Sequence, residues 1–289
     1  MPAESLALLN IKPEGKYVDA TLGSGGHAEL ILQKLGDRGR LLAVDWDVQA
    51  LERSGARLRS HGEKIILRQT NFQNLPALLS EMGWTGVNGM LFDLGVSSEQ
   101  LLNSGKGMAF EADEPLDMRL NPSAPLSAQD IILRWDTEQL ADLFERYGQR
   151  PGARRVASQL KETLEREGRL SARKVSEIAR RTLPSRGRTH PATRVFLALR
   201  SAVNDEMGNL NAALSWAPGW LLPEGVCAFI SFQSEEDRAV KLAFRQKIRG
   251  EGGEDFRILT PKPLVPGREE MRTNPRARSA KLRALQKVH

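Results

Sequence analysis

The stretch from Lys16 to Leu32 limits most sharply what this chain can fold into. A short apolar run, Lys16 to Asp19, ends in an acid, passes through Thr21, and meets Gly23, Ser24, Gly25, Gly26 and His27 at the start of a helical pattern. A strand that turns on glycines into a helix brings backbone close to whatever lies at its C-terminal end and points free helical N–H groups at it. Further apolar strands are expected at Arg40 to Asp45, Lys64 to Leu67 and Val87 to Asp93. Helical patterns over His27 to Leu35, Asp47 to Ser60 and Leu75 to Met82 alternate with them. Runs that are apolar on both faces belong to a parallel sheet covered by helices. The expected class is α/β: a Rossmann-like, doubly wound, mostly parallel sheet.

Near Ser104 the alternation stops, and from Leu126 to Leu183 only helical signals remain. Ser127 with Asp130 reads as a capping pair, Thr137 opens a helix, and Gly152 and Ser171 precede two more. Strand and helix alternate again after Pro191, with a long helical stretch to Trp216, the strand Gly225 to Phe232 and the strand Phe256 to Thr260. The spacing therefore predicts an all-helical domain, 106–190, inserted between two parts of one α/β domain, 1–105 and 191–289.

No apolar run approaches the roughly 18 residues a membrane helix needs, and Met1 to Asn10 carries Glu4 and no basic leader. The single cysteine, Cys227, sits in an apolar run and reads as a buried thiol in a reducing cytoplasm. His27, His61, His190 and His289 are scattered without metal-ligand spacing, so no metal site is expected. Net charge is +6, but it is unevenly spread: Gln149 to Arg200 holds 14 Lys/Arg and 4 Glu, and Met271 to His289 holds 6 Lys/Arg and no acid. Basicity gathered into two segments suits a polyanion, because each neutralised phosphate releases counterions. A solvated helix face explains the same run equally well.

The chemistry is suggested by three acids at strand ends. Asp45 follows the glycine turn by about twenty residues, where a carboxylate accepts both hydroxyls of a ribose. GSGGHA also fits the dinucleotide fingerprint G-x-G-x-x-G/A. Asp19 and Asp93 favour S-adenosylmethionine instead: Asp19 suits an ammonium group, and a carboxylate beside a pyrophosphate would repel it. The bland alternative is a glycine turn flanked by helix-capping acids.

Seven blocks in order make the case more specific: VDATLGSGGHAELIL (18–32), LLAVDWD (41–47), LFDLGVSSEQL (91–101), EPLDMRL (114–120), HPATRVFLALRSAVNDE (190–206), FQSEEDR (232–238) and KPLVP with NPRARSAKLRA (262–284). Over nearly the whole chain they resemble the bacterial 16S rRNA cytosine-N4 methyltransferases of the MraW type. The resemblance implies a class I methyltransferase fold with an inserted helical domain and S-adenosylmethionine as cofactor. It also implies a cytidine in the decoding region of the small ribosomal subunit as substrate. Carried over residue by residue, it places Gly25, Gly26, His27, Asp45, Phe72, Asp93 and Gln100 at the cofactor, with Phe72 against the adenine. Phe72 also reads as a core aromatic, His27 as a donor of backbone N–H alone, and Gln100 as a polar loop residue.

The chain departs from the family pattern in two places. Members begin with a His-Val-Pro-Val-Leu segment, absent ahead of MPAESLALL, so either the start lies downstream of it or the site lacks one wall. The block Phe-His-Ser-Leu-Glu-Asp-Arg reads here Phe232, Gln233, Ser234, Glu235, Glu236, Asp237, Arg238, so no histidine acts there. Asp93 and the following loop, with Ser97 and Ser98, are the candidates nearest the methyl-transfer centre. Arg154, Arg155, Arg180, Arg181, Arg186, Arg188, Arg276 and Arg278 are expected on RNA phosphates. Partners are 16S rRNA and the small subunit, with no membrane; a homodimer is compatible with the sequence. Two rivals share these features: an NAD-dependent oxidoreductase, and a non-catalytic RNA-binding or assembly factor.

Overall fold

The computed structural model describes residues 1–103, 105–184 and 190–289. The chain forms two compact units, one from Met1–Val96 with Met207–His289 and one from Ser97–Glu206. The first unit opens with α1 (Pro2–Leu9), β1 (Lys16–Asp19), α2 (Gly26–Leu32), β2 (Arg40–Asp45), α3 (Val48–Leu58), β3 (Ile65–Gln69), α4 (Leu75–Glu81) and β4 (Val87–Asp93). The second unit holds α5 (Ser98–Asn103), α6 (Ala128–Arg134), α7 (Thr137–Arg146), α8 (Ala153–Glu167), α9 (Ala172–Thr182) and α10 (Thr193–Asn204). The chain then returns to the first unit through α11 (Glu206–Trp216), β5 (Leu221–Ser231), α12 (Ser234–Lys247), β6 (Phe256–Ile258), α13 (Arg268–Thr273) and β7 (Lys281–Lys287).

The first unit is a seven-stranded sheet in the order β3-β2-β1-β4-β5-β7-β6. Strands β1 to β5 run parallel; β7 is antiparallel to both β5 and β6. The two-residue period of a strand sorts its side chains into two cores. Val18, Leu42, Val44, Met90, Phe92, Cys227, Phe229 and Leu285 face one layer with residues of α4, α11 and α12. Tyr17, Leu41, Ala43, Leu91, Val226, Ala228, Ile230, Leu282 and Ala284 face the other with residues of α1, α2 and α3. The first layer is centred on a parallel stack of Phe92 and Phe229, 4.2 Å between centroids, with Phe72, Trp216 and Phe244 set edge-on around it. Burial pushes the Cys227 thiol up to about 12, as expected of an inert core residue.

In the second unit the local signals act as read. Ser127 and Asp130 close a reciprocal capping box on α6, and Asp136 does the same with Gln139 on α7. Ser171 accepts from the backbone N–H of Lys174 at the start of α9. Asn204 ties the unit together: its Nδ2 donates to the carbonyl of Met118, and its Oδ1 accepts from the N–H of Leu120.

Three features differ from the expectation. The units divide at 96/97 and 206/207 instead of 105/106 and 190/191, because α10 packs on α6 and α7 and Asn204 binds the 118–120 loop. The helical stretch to Trp216 is two helices, broken where Asp205 adopts φ 44°. The basic C-terminal segment contains β7, where Arg283 is buried and bound to Asp237 at 2.6 Å and Lys281 reaches the same carboxylate. Part of that segment's charge is therefore spent inside the fold. Among the described residues no helix is long and apolar enough to cross a membrane, and no group of three His, Cys, Asp or Glu side chains is placed to hold a metal ion.

Candidate cofactor site and basic surfaces

Because β1, β2 and β4 are parallel neighbours, Asp19, Asp45 and Asp93 come together at one edge of the sheet. The glycine turn is pinned there. Gly23 donates its N–H to Asp45 Oδ2 at 2.8 Å, Asp47 donates to Asp45 Oδ1 at 2.8 Å, and Ser54 Oγ donates to the Gly23 carbonyl at 2.7 Å. These bonds tie the Asp45 carboxylate to the glycine turn at the end of β2.

The two central glycines serve different ends. Gly25 has φ 75°, and a Cβ there would meet Arg57 at 2.9 Å, Ser54 at 3.2 Å and Leu58 at 3.3 Å, so the fold itself demands glycine. A Cβ on Gly26, which opens α2, would meet nothing within 4 Å. Open space at the first turn of a helix, beside free N–H groups, is room for a ligand's atoms.

Beside this turn three polar atoms have no hydrogen-bond partner among the described residues. Asp19 Oδ2, His27 Nδ1 and Asp93 Oδ1 are all buried and unbonded. Asp19 is 1% exposed, and its Oδ1 accepts only a 3.2 Å contact from Thr21 N–H. Burial, opposed by His27 and reinforced by Asp93 and Asp45, raises the Asp19 carboxyl to about 6. Burial disfavours the His27 imidazolium, yet the Asp93 carboxylate 3.5 Å away and the Asp19 charge outweigh it and lift His27 above its ordinary value. Native structures rarely leave such atoms unmatched, since each costs about 1–3 kcal/mol. A ligand with an ammonium group would answer Asp19, and a ribose on the same ligand would meet the Asp45 carboxylate. S-adenosylmethionine carries both groups, so the residues present fit it.

Phe72 lies just past β3, in a turn capped by Asn71, and Thr70 beside it donates to the Asp45 carbonyl. It is half-buried and edge-on to Phe92, so part of the ring belongs to the core. Ser97, Ser98 and Gln100 belong to the second unit. Gln100 Oε1 accepts from Ser97 N–H at 2.9 Å and Gln100 N–H donates to Ser97 Oγ at 3.2 Å, a reciprocal cap on α5; Ser98 is exposed. Helix capping thus accounts for a serine and a glutamine at this spacing, which the sequence reading missed.

Of the expected phosphate ligands, Arg154 and Arg155 are exposed at the start of α8. With Arg150, Glu145, Ser158 and Gln159 they line a cavity of about 500 Å³. Arg154 also pairs with Glu138 at 2.6 Å. Arg180 and Arg181 are exposed in the last turn of α9, where Arg180 reaches His190 at 3.4 Å. Arg276 and Arg278 are exposed in a turn before β7. Arg186 and Arg188 lie outside the described residues.

The model of the MraW methylase family matches residues 1–288. A protein of Heliobacterium modesticaldum named ribosomal RNA small subunit methyltransferase H is 41% identical, covering 98% of this chain and 96% of its own length. One of the same name from Brevibacillus brevis is 39% identical over 99% of this chain and 96% of its own. The solved structure of an rRNA methylase from Streptococcus thermophilus aligns over 100% of this chain and 98% of its own, with a TM-score of 0.44 and 14% identity. A family model that spans the chain nearly end to end identifies this protein as a member of the MraW methylase family, with S-adenosylmethionine as its cofactor.

Proposed function

We propose that the protein methylates the exocyclic N4 amine of a cytidine in the decoding region of 16S rRNA. The observation that carries the reading is the convergence of unpartnered Asp19, His27 and Asp93 atoms beside the open space at Gly26. The named relatives and the seven sequence blocks support the ribosomal target.

The cytosine amine is a poor nucleophile because its lone pair is delocalised into the ring. A hydrogen-bond acceptor for one of its N–H groups localises that pair and aligns the nitrogen for attack, a gain from positioning. Asp93 is suited to this: Oδ2 is held beside His27 while Oδ1 has no partner, at the end of β4. S-adenosylmethionine supplies the electrophilic methyl group. Asp19, one strand over and buried, answers the cofactor's cation, so the two carboxylates have separate tasks. Asp93→Ala is expected to lower methyl transfer to ribosomal subunits by about 100-fold or more, the range of a lost positioned acceptor. Normal methylation by that variant removes Asp93 from the mechanism.

The helical unit serves substrate recognition in this reading, with Arg154, Arg155, Arg180, Arg181, Arg186 and Arg188 on phosphates there and Arg276 and Arg278 in the first unit. Replacing Arg154 and Arg155 by Gln should reduce the slope of log affinity against log salt by about 1.4 to 1.8, given 0.7 to 0.9 for each phosphate contact. An unchanged slope means these side chains are merely solvated. The test of the whole reading is mass spectrometry of nucleosides from small-subunit rRNA incubated with the protein and cofactor. One cytidine should gain an N4-methyl group. RNA binding without methyl incorporation would instead leave a binding factor.

A further inference from the structure

The first unit carries a cationic surface that the segment-by-segment charge count hides. From Arg238 to Gly250 there are five Lys/Arg and no acid, inside a remainder of the chain that is net acidic. Most of this run lies on α12. Its inner face is fixed by Val240 and Phe244, both buried in the core beside Phe229. At 100° per residue, Arg238, Leu242 and Arg245 then share the opposite side, at i, i+4 and i+7, with Lys241 flanking them and Arg249 in the turn that follows the end of α12 at Lys247. The structure agrees: Arg238, Leu242, Arg245 and Arg249 are exposed, and Leu242 keeps 53% of its surface.

Neighbouring acids do not neutralise the row. Elsewhere exposed cations pair locally, as in Arg154 with Glu138, Arg166 with Glu167 and Arg272 with Glu269. Among the described residues no ion pair engages Arg238, Lys241, Arg245 or Arg249, and Lys247 sits over the Phe256 ring. Asp237 is turned inward onto Lys281 and Arg283, and Glu236 closes the helix N-terminus with Gln233. Attraction to the negative helix C-terminus accounts for a cation in the last turn but not for Arg238 or Lys241, nearer the start.

We infer that this face of α12 is a second RNA-docking surface, on which the phosphates of the rRNA substrate run along the helix. Successive cations are spaced by about 4.5 to 6 Å along the axis, a ladder suited to consecutive phosphates of one strand, with Leu242 lying between them against the sugars. A lipid surface fits less well, because the helix's apolar face is already buried in the sheet and membrane-lying helices need theirs. The inference rests on the proposed rRNA substrate, extending it from the helical unit to the sheet-bearing one.

The test uses the full chain, 16S rRNA, and the variants Lys241→Gln, Arg245→Gln and Arg249→Gln, singly and combined. The triple variant should lose about 2 from the salt slope, at 0.7 or more per phosphate, and each single variant about a third of that. Cofactor affinity and the rate at saturating RNA should stay as in the parent while KM for RNA rises about tenfold or more. A slope unchanged in the singles, or a loss seen only against vesicles containing phosphatidylglycerol, overturns the inference. Methylation that persists in that case leaves the proposed function standing. Absence of methyl transfer by the parent protein, with the slope change intact, overturns the function and leaves the surface.

Discussion

Gly26→Val is expected to leave the melting temperature of the protein within about 2 °C of the parent while weakening S-adenosylmethionine by at least about 100-fold, or 2.8 kcal/mol. The two halves of that outcome have separate causes. Gly26 is not among the positive-φ positions and a Cβ there meets no protein atom within 4 Å, so the side chain enters open space from its first carbon. Helix propensity even favours the change slightly. The only thing the valine displaces is what occupies the open space beside the start of α2. Gly25→Val would not discriminate, since its φ of 75° and the contacts to Arg57, Ser54 and Leu58 make it damage the turn directly. Calorimetric titration with a parallel thermal melt reads both quantities, and a variant that binds the cofactor normally would show the glycine turn to be structural only.

Asp19→Asn separates function from stability in the opposite sense. The folded chain holds the Asp19 proton to about pH 6, against 3.8 for an ordinary aspartate. A raised carboxyl favours the fold most when protonated, below about pH 4, and that contribution is lost as pH rises through 6; near neutrality the deficit is about 3 kcal/mol. Asparagine cannot ionise and keeps an oxygen for the Thr21 N–H. The cofactor-free variant should therefore melt several degrees above the parent at pH 8, with the advantage shrinking toward pH 4. Cofactor binding should fall by about 100-fold or more, because a buried cation loses its counter-charge. If the variant is less stable at pH 8 and binds the cofactor unchanged, Asp19 is a structural residue and the ammonium assignment fails.

The parts of this site written in local sequence were legible. A strand ending in Asp, a glycine turn and a second strand ending in Asp45 require only short-range regularities, and β2 and β4 occupy the bounds their apolar runs suggest. The helix caps at Ser127 and Ser171 were equally local. What escaped depends on tertiary context. Strand β7, KLRALQK, is composed of good helix formers and becomes a strand only because β5 and β6 bond to it on both sides. Its Arg283, one of the charges counted in the basic C-terminal segment, is held by Asp237, 46 residues away. Asp205 breaks α10 from α11 without glycine or proline to announce it. The cations of α12 were lost in a charge total dominated by acids elsewhere, whereas their exposure along one side of the helix becomes visible only once Val240 and Phe244 fix the inner face. The bond between Ser97 and Gln100 shows the converse: residues singled out by resemblance also have a plain local task.

The most direct measurement is a crystal structure of the protein grown with S-adenosylmethionine. Density should lie across the tips of β1, β2 and β4, with the sugar on the Asp45 carboxylate, the amino group on Asp19, and the chain of the ligand passing over Gly26. A cofactor bound elsewhere, or these carboxylates still facing no ligand at saturating concentration, would contradict the account.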